Sequence, residues 1–357
     1  MLEQLYKNKR LILKKSQKFF LNSSLLTPKI GCELEFFLLE KNLAAVENQA
    51  LMADLISELK SELTKNYSLI YQVEKEQGVS QVEVKTSFTS DLFLLCDELE
   101  SAKNFIKNFA QEKNLIASFA SQPFLNDCGS ALQFNVSLHD EDDKNLFEDD
   151  RNFLENSATS LLQMTNSMMI FLAPKEEDYV RFSFDLNREL FKKGKFTAPV
   201  NLSFGSDNRT CAIRIPNSSG KRLEYRIAAA DADPALAISA ILIAIFSGLY
   251  PFHLKKPISD FAFLVKICSE NLAVSLDTAR ILRRNFSSKM LRHSSTSSSG
   301  MGIENKKPQF EQIFGNAFDE KYQLENFCQS LKEAEDFFVA EENFIRKKFS
   351  KFLAKKS

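Results

Sequence analysis

Between residues 198 and 226 the chain gathers Arg209, Arg214, Arg222 and Arg226 around a single glutamate, Glu224, in an otherwise apolar, strand-like stretch. Guanidinium groups at that density imply a polyanionic ligand, and one carboxylate among them suggests a metal ion that neutralises part of its charge. Three further segments carry a related signature. In a β-strand, residues two apart share a face. That rule places Glu33 with Glu35, Gln81 with Glu83 and Lys85, Gln133 with Asn135 and Ser137, and Arg222 with Glu224 and Arg226, each opposite an apolar row.

Singly, each strand also describes a half-buried sheet with one wet side, which needs no function; Lys85 is read as solvated and Tyr179 as packing. Together the strands differ from a solvated face, because they combine carboxylates with arginines and amides. Glu33 and Glu35 repel unless a cation lies between them. Hard divalent ions such as Mg²⁺ or Mn²⁺ take carboxylate oxygens and bind nucleotide phosphates as well. The pattern therefore predicts metal-assisted phosphoryl transfer on one sheet face. No GxxxxGK[ST] loop is present, which excludes a P-loop enzyme.

Hydrophobic spacing predicts the elements that position these residues. Residues 1–24 read as an amphipathic helix, followed by helices near 50–63, 91–110, 149–169 and 233–250. Strands are expected at 30–39, 68–73, 81–86, 115–121, 131–138 and 210–227. The fold class is α+β, with a curved, largely antiparallel sheet and flanking helices. The domain reading is an N-terminal helix over 1–28, a catalytic domain over 29–284, a Ser-rich basic loop over 285–307 and a charged helical segment over 308–357.

The 357 residues carry a net charge of −1, which argues against a nucleic-acid partner. The opening residues lack an apolar signal region, and the apolar run 235–250 falls short of the ~20 residues a membrane span needs. A cytoplasmic protein without membrane association is expected. Six cysteines without CxxC spacing fit reduced, buried thiols, and three histidines support neither a His-rich metal site nor a Ser/His triad.

Several of these segments, taken in order, resemble the catalytic domain of glutamine synthetases. The Glu-x-Glu strand is Gly31-Cys32-Glu33-Leu34-Glu35; Glu76-Gln77-Gly78-Val79-Ser80-Gln81-Val82-Glu83 follows the family's next carboxylate motif; Gly129-Ser130 leads into Gln133, Asn135 and Ser137. Pro174 with Tyr179 and Arg181, the arginine-rich stretch, and Ala232-Asp233-Pro234 with the small-residue helix behind it complete the series. The resemblance implies a ligase using ATP and Mg²⁺ or Mn²⁺, which phosphorylates the γ-carboxylate of glutamate and lets ammonia or another amine displace the phosphate. It implies metal ligands at Glu35, Glu76 and Glu83 and again at Glu33, Gln133 and Glu224. Nucleotide would meet Asn135, Ser137, Arg214 and Arg222. Glutamate would meet Arg181, Arg226 and Gly129, and Arg209 and Thr197 would stand at catalytic positions.

The departures matter as much. Gln133 and Asn135 stand where the family usually has His-x-His, Thr197 replaces a loop glutamate that attracts ammonium, and Cys128 replaces an asparagine. A neutral hydroxyl is a poor base at neutral pH. The small β-rich domain that precedes the family's catalytic region, and completes a neighbouring subunit's site, has only the helix 1–24 in its place. A homo-oligomer is expected, with the family's ring assembly and its activity brought into question by that departure. Three readings stay open: a glutamate–ammonia ligase, a γ-glutamyl ligase for a larger amine, and a non-catalytic relative that binds nucleotide or a partner.

Overall fold

The structure, a computed structural model, describes residues 2–195, 197–253 and 310–340. Its central strand, β1 (Thr27–Leu39), begins earlier than hydrophobic spacing predicts and alternates Ile30, Cys32, Leu34, Phe36 and Leu38 into the core. Each large apolar side chain buried this way stabilises the fold by about 1.5–3 kcal/mol. The other strands are β2 (Ile70–Lys75), β3 (Gln81–Thr86), β4 (Ile116–Ser118), β5 (Leu132–His139), β6 (Phe204–Ser206), β7 (Ile213–Ile215) and β8 (Leu223–Tyr225). They form one sheet in the order β2-β3-β1-β5-β8-β7-β6, with β4 also paired to β1. Every pairing is antiparallel except β6 with β7.

The helices are α1 (Leu2–Ser24), α2 (Gln49–Asn66), α3 (Leu92–Glu112), α4 (Leu146–Asp149), α5 (Arg151–Leu172), α6 (Phe184–Lys192) and α7 (Pro234–His253). Side chains of Asn48, Asp91 and Asp150 accept the orphan N–H groups that open α2, α3 and α5. Asp233 does the same for α7, accepting from Ala235 and Leu236, and also pairs with Lys9 of α1 at 2.9 Å. Phe19 meets Phe246 edge to face at 4.7 Å, so α1 is packed into the main core against α7.

Four sequence expectations need correction. The long strand predicted over 210–227 is two three-residue strands, β7 and β8, split by the Pro216–Lys221 turn. The strand predicted at 115–121 shrinks to β4. Helix α6 and strand β6, both short, escaped the periodicity. Residues 310–330 are mostly irregular, and the helix expected there covers residues 331–340 of the described chain. The irregular stretch is tied down by β-like hydrogen bonds: Leu202 N–H donates to Glu325 O, and Phe327 N–H to Val200 O. The Ser-rich loop at 285–307 lies outside the described residues. Among those that are described, no helix is long and apolar enough to cross a membrane, and all five cysteines are free and buried.

Candidate active site

The polar face of the sheet is not wet. Glu35, Gln81, Glu83, Gln133, Asn135, Ser137, Glu224 and Arg226 are all at most 7 % exposed. Burying charged groups costs several kcal/mol each unless they are paired, so the question becomes which group neutralises which.

On the β2-β3-β1 side, strand register lines up carboxylates. Glu35 lies opposite Glu83, and Glu83 lies opposite Glu74. Lys85 is not the solvated side chain expected from sequence: its Nζ bridges Glu74 at 2.6 Å and Glu83 at 2.9 Å. Glu35 accepts from Ala131 N–H at 2.9 Å and from the Gln133 amide at 2.5 Å. Lys85 pairs with two of these carboxylates and leaves Glu35 to neutral donors. Burial, reinforced by Glu76, pushes the Glu35 carboxyl up to about 7. Burial, with Glu33 and Glu35 nearby, pushes Glu83 up to about 10.

On the β5-β8-β7 side the cations are built in. Glu224 faces Asn135 on β5 and Arg214 on β7. Its Oε1 accepts from Arg226 at 2.8 Å and its Oε2 from Arg214 at 2.6 Å. Burial raises the Glu224 carboxyl, but Arg226 and Arg214 outweigh it and hold it below the usual carboxylate value. Arg226 also donates to Gln133 Oε1 at 3.1 Å. Arg222 donates to Asn135 Oδ1 at 2.8 Å, and the Asn135 amide donates to Glu33 at 3.0 Å.

The third part of the site lies where loops close over the sheet. Arg181, in the 3-10 segment Glu176–Phe182, is buried and donates to the carbonyls of Ile227 and Arg226. Burial lowers its pKa to about 10. The Nε–H groups of Arg181 and Arg226 are buried without an acceptor. Gly129 packs tightly beside Arg181: a β-carbon there would lie 2.8 Å from Ser121 O and 3.1 Å from Arg181 Cγ. Asp127 ties this loop to the rest, accepting from Val79 N–H, Cys128 N–H and Lys195 Nζ. Thr197, two residues beyond Lys195, is buried.

The structure thus brings these residues into one band on the sheet, made of two hydrogen-bonded chains, Glu33–Asn135–Arg222 and Glu35–Gln133–Arg226–Glu224–Arg214, with Glu83 opposite Glu35, Arg181 and Gly129 at its edge and Glu76 close enough to act on Glu35. Ser137 sits further along β5, 3.0 Å from the His139 ring. Arg209 is exposed on the turn between β6 and β7, outside the band. Sequence reading missed Glu74, Asp127, Lys195 and Asp207, which holds Arg214. Glu74 alternates with Gln72 and Glu76 and was legible by the same rule; the loop residues carry no periodic signal.

For divalent ions the donor set fits on one side only. Glu35, Glu76 and Glu83 are carboxylates that could present hard oxygens, which suit Mg²⁺ or Mn²⁺, and Glu35 lies opposite Glu83 across the strands. Among the described residues no three His, Cys, Asp or Glu side chains already converge as a cage. Around Glu224 and Gln133 the oxygens are taken by arginine, and that position does not fit a metal.

The fold is thus an α+β sheet, largely antiparallel, whose buried face runs from clustered carboxylates into clustered arginines. The sequence model for "Glutamine synthetase, catalytic domain" matches residues 7–260, and the chain belongs to the glutamine synthetase family. It is 26 % identical over 253 residues to γ-glutamylputrescine synthetase of Escherichia coli (strain K12), covering 63 % of this chain and 52 % of that protein. It is 30 % identical over 208 residues to a glutamine synthetase of Streptomyces coelicolor, covering 55 % of this chain and 42 % of that one. The chain therefore spans about half the length of these curated relatives. A solved GmaS/ADP complex shares the fold, with a TM-score of 0.66 at 18 % identity, covering 97 % of this chain and 74 % of that one.

Proposed function

We propose that this chain is an ATP-dependent γ-glutamyl ligase that joins glutamate to ammonia or a primary amine, acting in the cytoplasm with residues 29–284 as its catalytic unit. The observation that carries this reading is the buried band in which unbalanced carboxylates run directly into fixed guanidinium groups. A γ-carboxylate oxygen of glutamate attacks the γ-phosphorus of ATP, releasing ADP and leaving a γ-glutamyl phosphate. The amine nitrogen then attacks the acyl carbon, phosphate departs, and the nitrogen loses its proton. A divalent ion bound by Glu35, Glu76 and Glu83 would supply positive charge for the phosphate oxygens. Arg214 and Arg222 would meet the nucleotide's remaining charge, with Arg209 of the exposed turn a further candidate for it. The two orphan Nε–H donors of Arg181 and Arg226 suit the carboxylate of glutamate.

A second reading, an amine larger than ammonia, is favoured by Thr197. This neutral, buried hydroxyl gives ammonium neither a counter-charge nor a base, and one similar protein is a γ-glutamylputrescine synthetase. The test is phosphate release from ATP with Mg²⁺ or Mn²⁺ and glutamate, with ammonium, hydroxylamine and small alkylamines compared, and Glu83→Ala alongside. Amine-stimulated release that vanishes in the variant supports a ligase, and the preferred amine decides between acceptors. Nucleotide binding without any turnover would instead favour a non-catalytic relative.

A further inference from the structure

The two halves of the polar band differ in where their positive charge comes from. In one half Lys85 bridges only Glu74 and Glu83, while Glu33 and Glu35 are held by the neutral amides of Asn135 and Gln133. In the other, Glu224 is held by two guanidinium groups, one on each carboxylate oxygen. A metal ion needs lone pairs aimed at it. Gln133 directs its oxygen to Arg226, 3.1 Å away, and turns its amide, which has no lone pair to give, toward Glu35 at 2.5 Å.

Moving Arg226 aside would strand a guanidinium that is 7 % exposed, without its carboxylate. Leaving it in place would set a divalent ion against the charges of Arg226 and Arg214. Both routes are unfavourable. Position 133 carries no imidazole that could compete, only the amide oxygen of Gln133, and a neutral amide oxygen binds such ions weakly.

We infer that the nucleotide-free protein binds one divalent ion per chain, among Glu35, Glu76 and Glu83, and that the Arg226 guanidinium takes the place of a second between Glu224 and Gln133. This rests on the ligase reading only in treating the carboxylate cluster as metal-holding. The chain then differs from an enzyme with two resident ions in drawing half of its fixed positive charge from its own side chains. Such charge does not dissociate and does not depend on metal supply.

The experiment is a titration of Mn²⁺ into the metal-free, nucleotide-free full chain, with free Mn²⁺ counted by electron paramagnetic resonance. One bound ion per chain is expected, lost in Glu83→Gln and retained in Glu224→Gln. Two ions on the unmodified chain, none at all, or an ion lost with Glu224→Gln but kept with Glu83→Gln would each overturn the inference. Should Glu224→Gln fail to fold, the unmodified count and Glu83→Gln still decide it. The count is read without turnover, so an inactive protein binding one ion leaves the inference intact, and an active one binding two defeats it alone.

Discussion

Lys195 Nζ lies 2.5 Å from Asp127 Oδ1, and through that carboxylate the loop leading to Thr197 is fastened to two other segments. Asp127 Oδ2 accepts from Val79 N–H at 2.8 Å, in the turn just after Glu76, and Oδ1 from Cys128 N–H at 2.9 Å, beside Gly129. One buried carboxylate thus links the loop of Lys195, the turn after Glu76 and the Gly129 loop.

Lys195→Ala is expected to raise the KM for the amine several-fold while leaving the KM for ATP close to its original value. The phosphate released per amide formed should rise above one, as water reaches the acyl phosphate. Because Lys195 is partly exposed, stability should fall by less than ~1 kcal/mol. Amide and phosphate assayed in the same reaction give both numbers. Unchanged amine KM and stoichiometry would show the pair to be only structural.

Removing one carboxylate from the crowded cluster separates stability from function. Glu83→Gln keeps the shape, and Gln resembles the neutral carboxyl that burial and its neighbours favour there. The metal-free variant should melt at or above the temperature of the unmodified protein. Saturating Mn²⁺ should stabilise only the unmodified chain, by roughly 3 kcal/mol at a hundredfold excess over Kd. Turnover should fall at least a hundredfold. Thermal melts with and without Mn²⁺ check the first two points.

Asp178 supplies a pH dependence away from the band. Burial, with Asp231 adding to it, pushes its carboxyl up from 3.8 to about 6, against hydrogen bonds from Ser121 and Lys175 N–H. The folded state therefore holds this proton more tightly than the unfolded chain. Its contribution is complete below pH ~4 and is lost as pH rises through ~6, by at most ~3 kcal/mol. Urea unfolding of the unmodified protein and Asp178→Asn should show their stability difference shifting against the unmodified protein from pH 4 to 7. A constant difference would refute the assignment.

Gly129 is pressed between Arg181 and the Ser121 carbonyl, and a backbone oxygen 2.8 Å from a new β-carbon cannot swing away as a side chain would. Gly129→Ala should cost ~1–3 kcal/mol of stability. By displacing the loop against Arg181 it should raise the KM for glutamate about tenfold, with the KM for the amine little changed. Steady-state kinetics in each substrate read the split.

Much of this was legible in the chain itself. Alternation at Glu33 and Glu35, at Gln133 and Asn135, and at Arg222, Glu224 and Arg226 marks one face of each strand, because side-chain direction in a strand is a local property with a period of two. The same locality explains the close agreement for α1, β3 and α3, whose periodic runs are long or cleanly bounded. It also explains why β6, β7 and β8 were blurred: three-residue strands carry too few alternations to read.

What the sequence by itself determined is therefore the set of polar faces, the fold class and the family motifs. Only the tertiary structure decided that those faces are buried, that Lys85 bridges Glu74 and Glu83, that Glu224 is held by Arg214 and Arg226, and that Asp127 fastens the loop of Lys195. Those pairings depend on cross-strand register and loop closure between residues distant in the chain. Burial then multiplies their strength, because charges removed from water must find partners inside the protein.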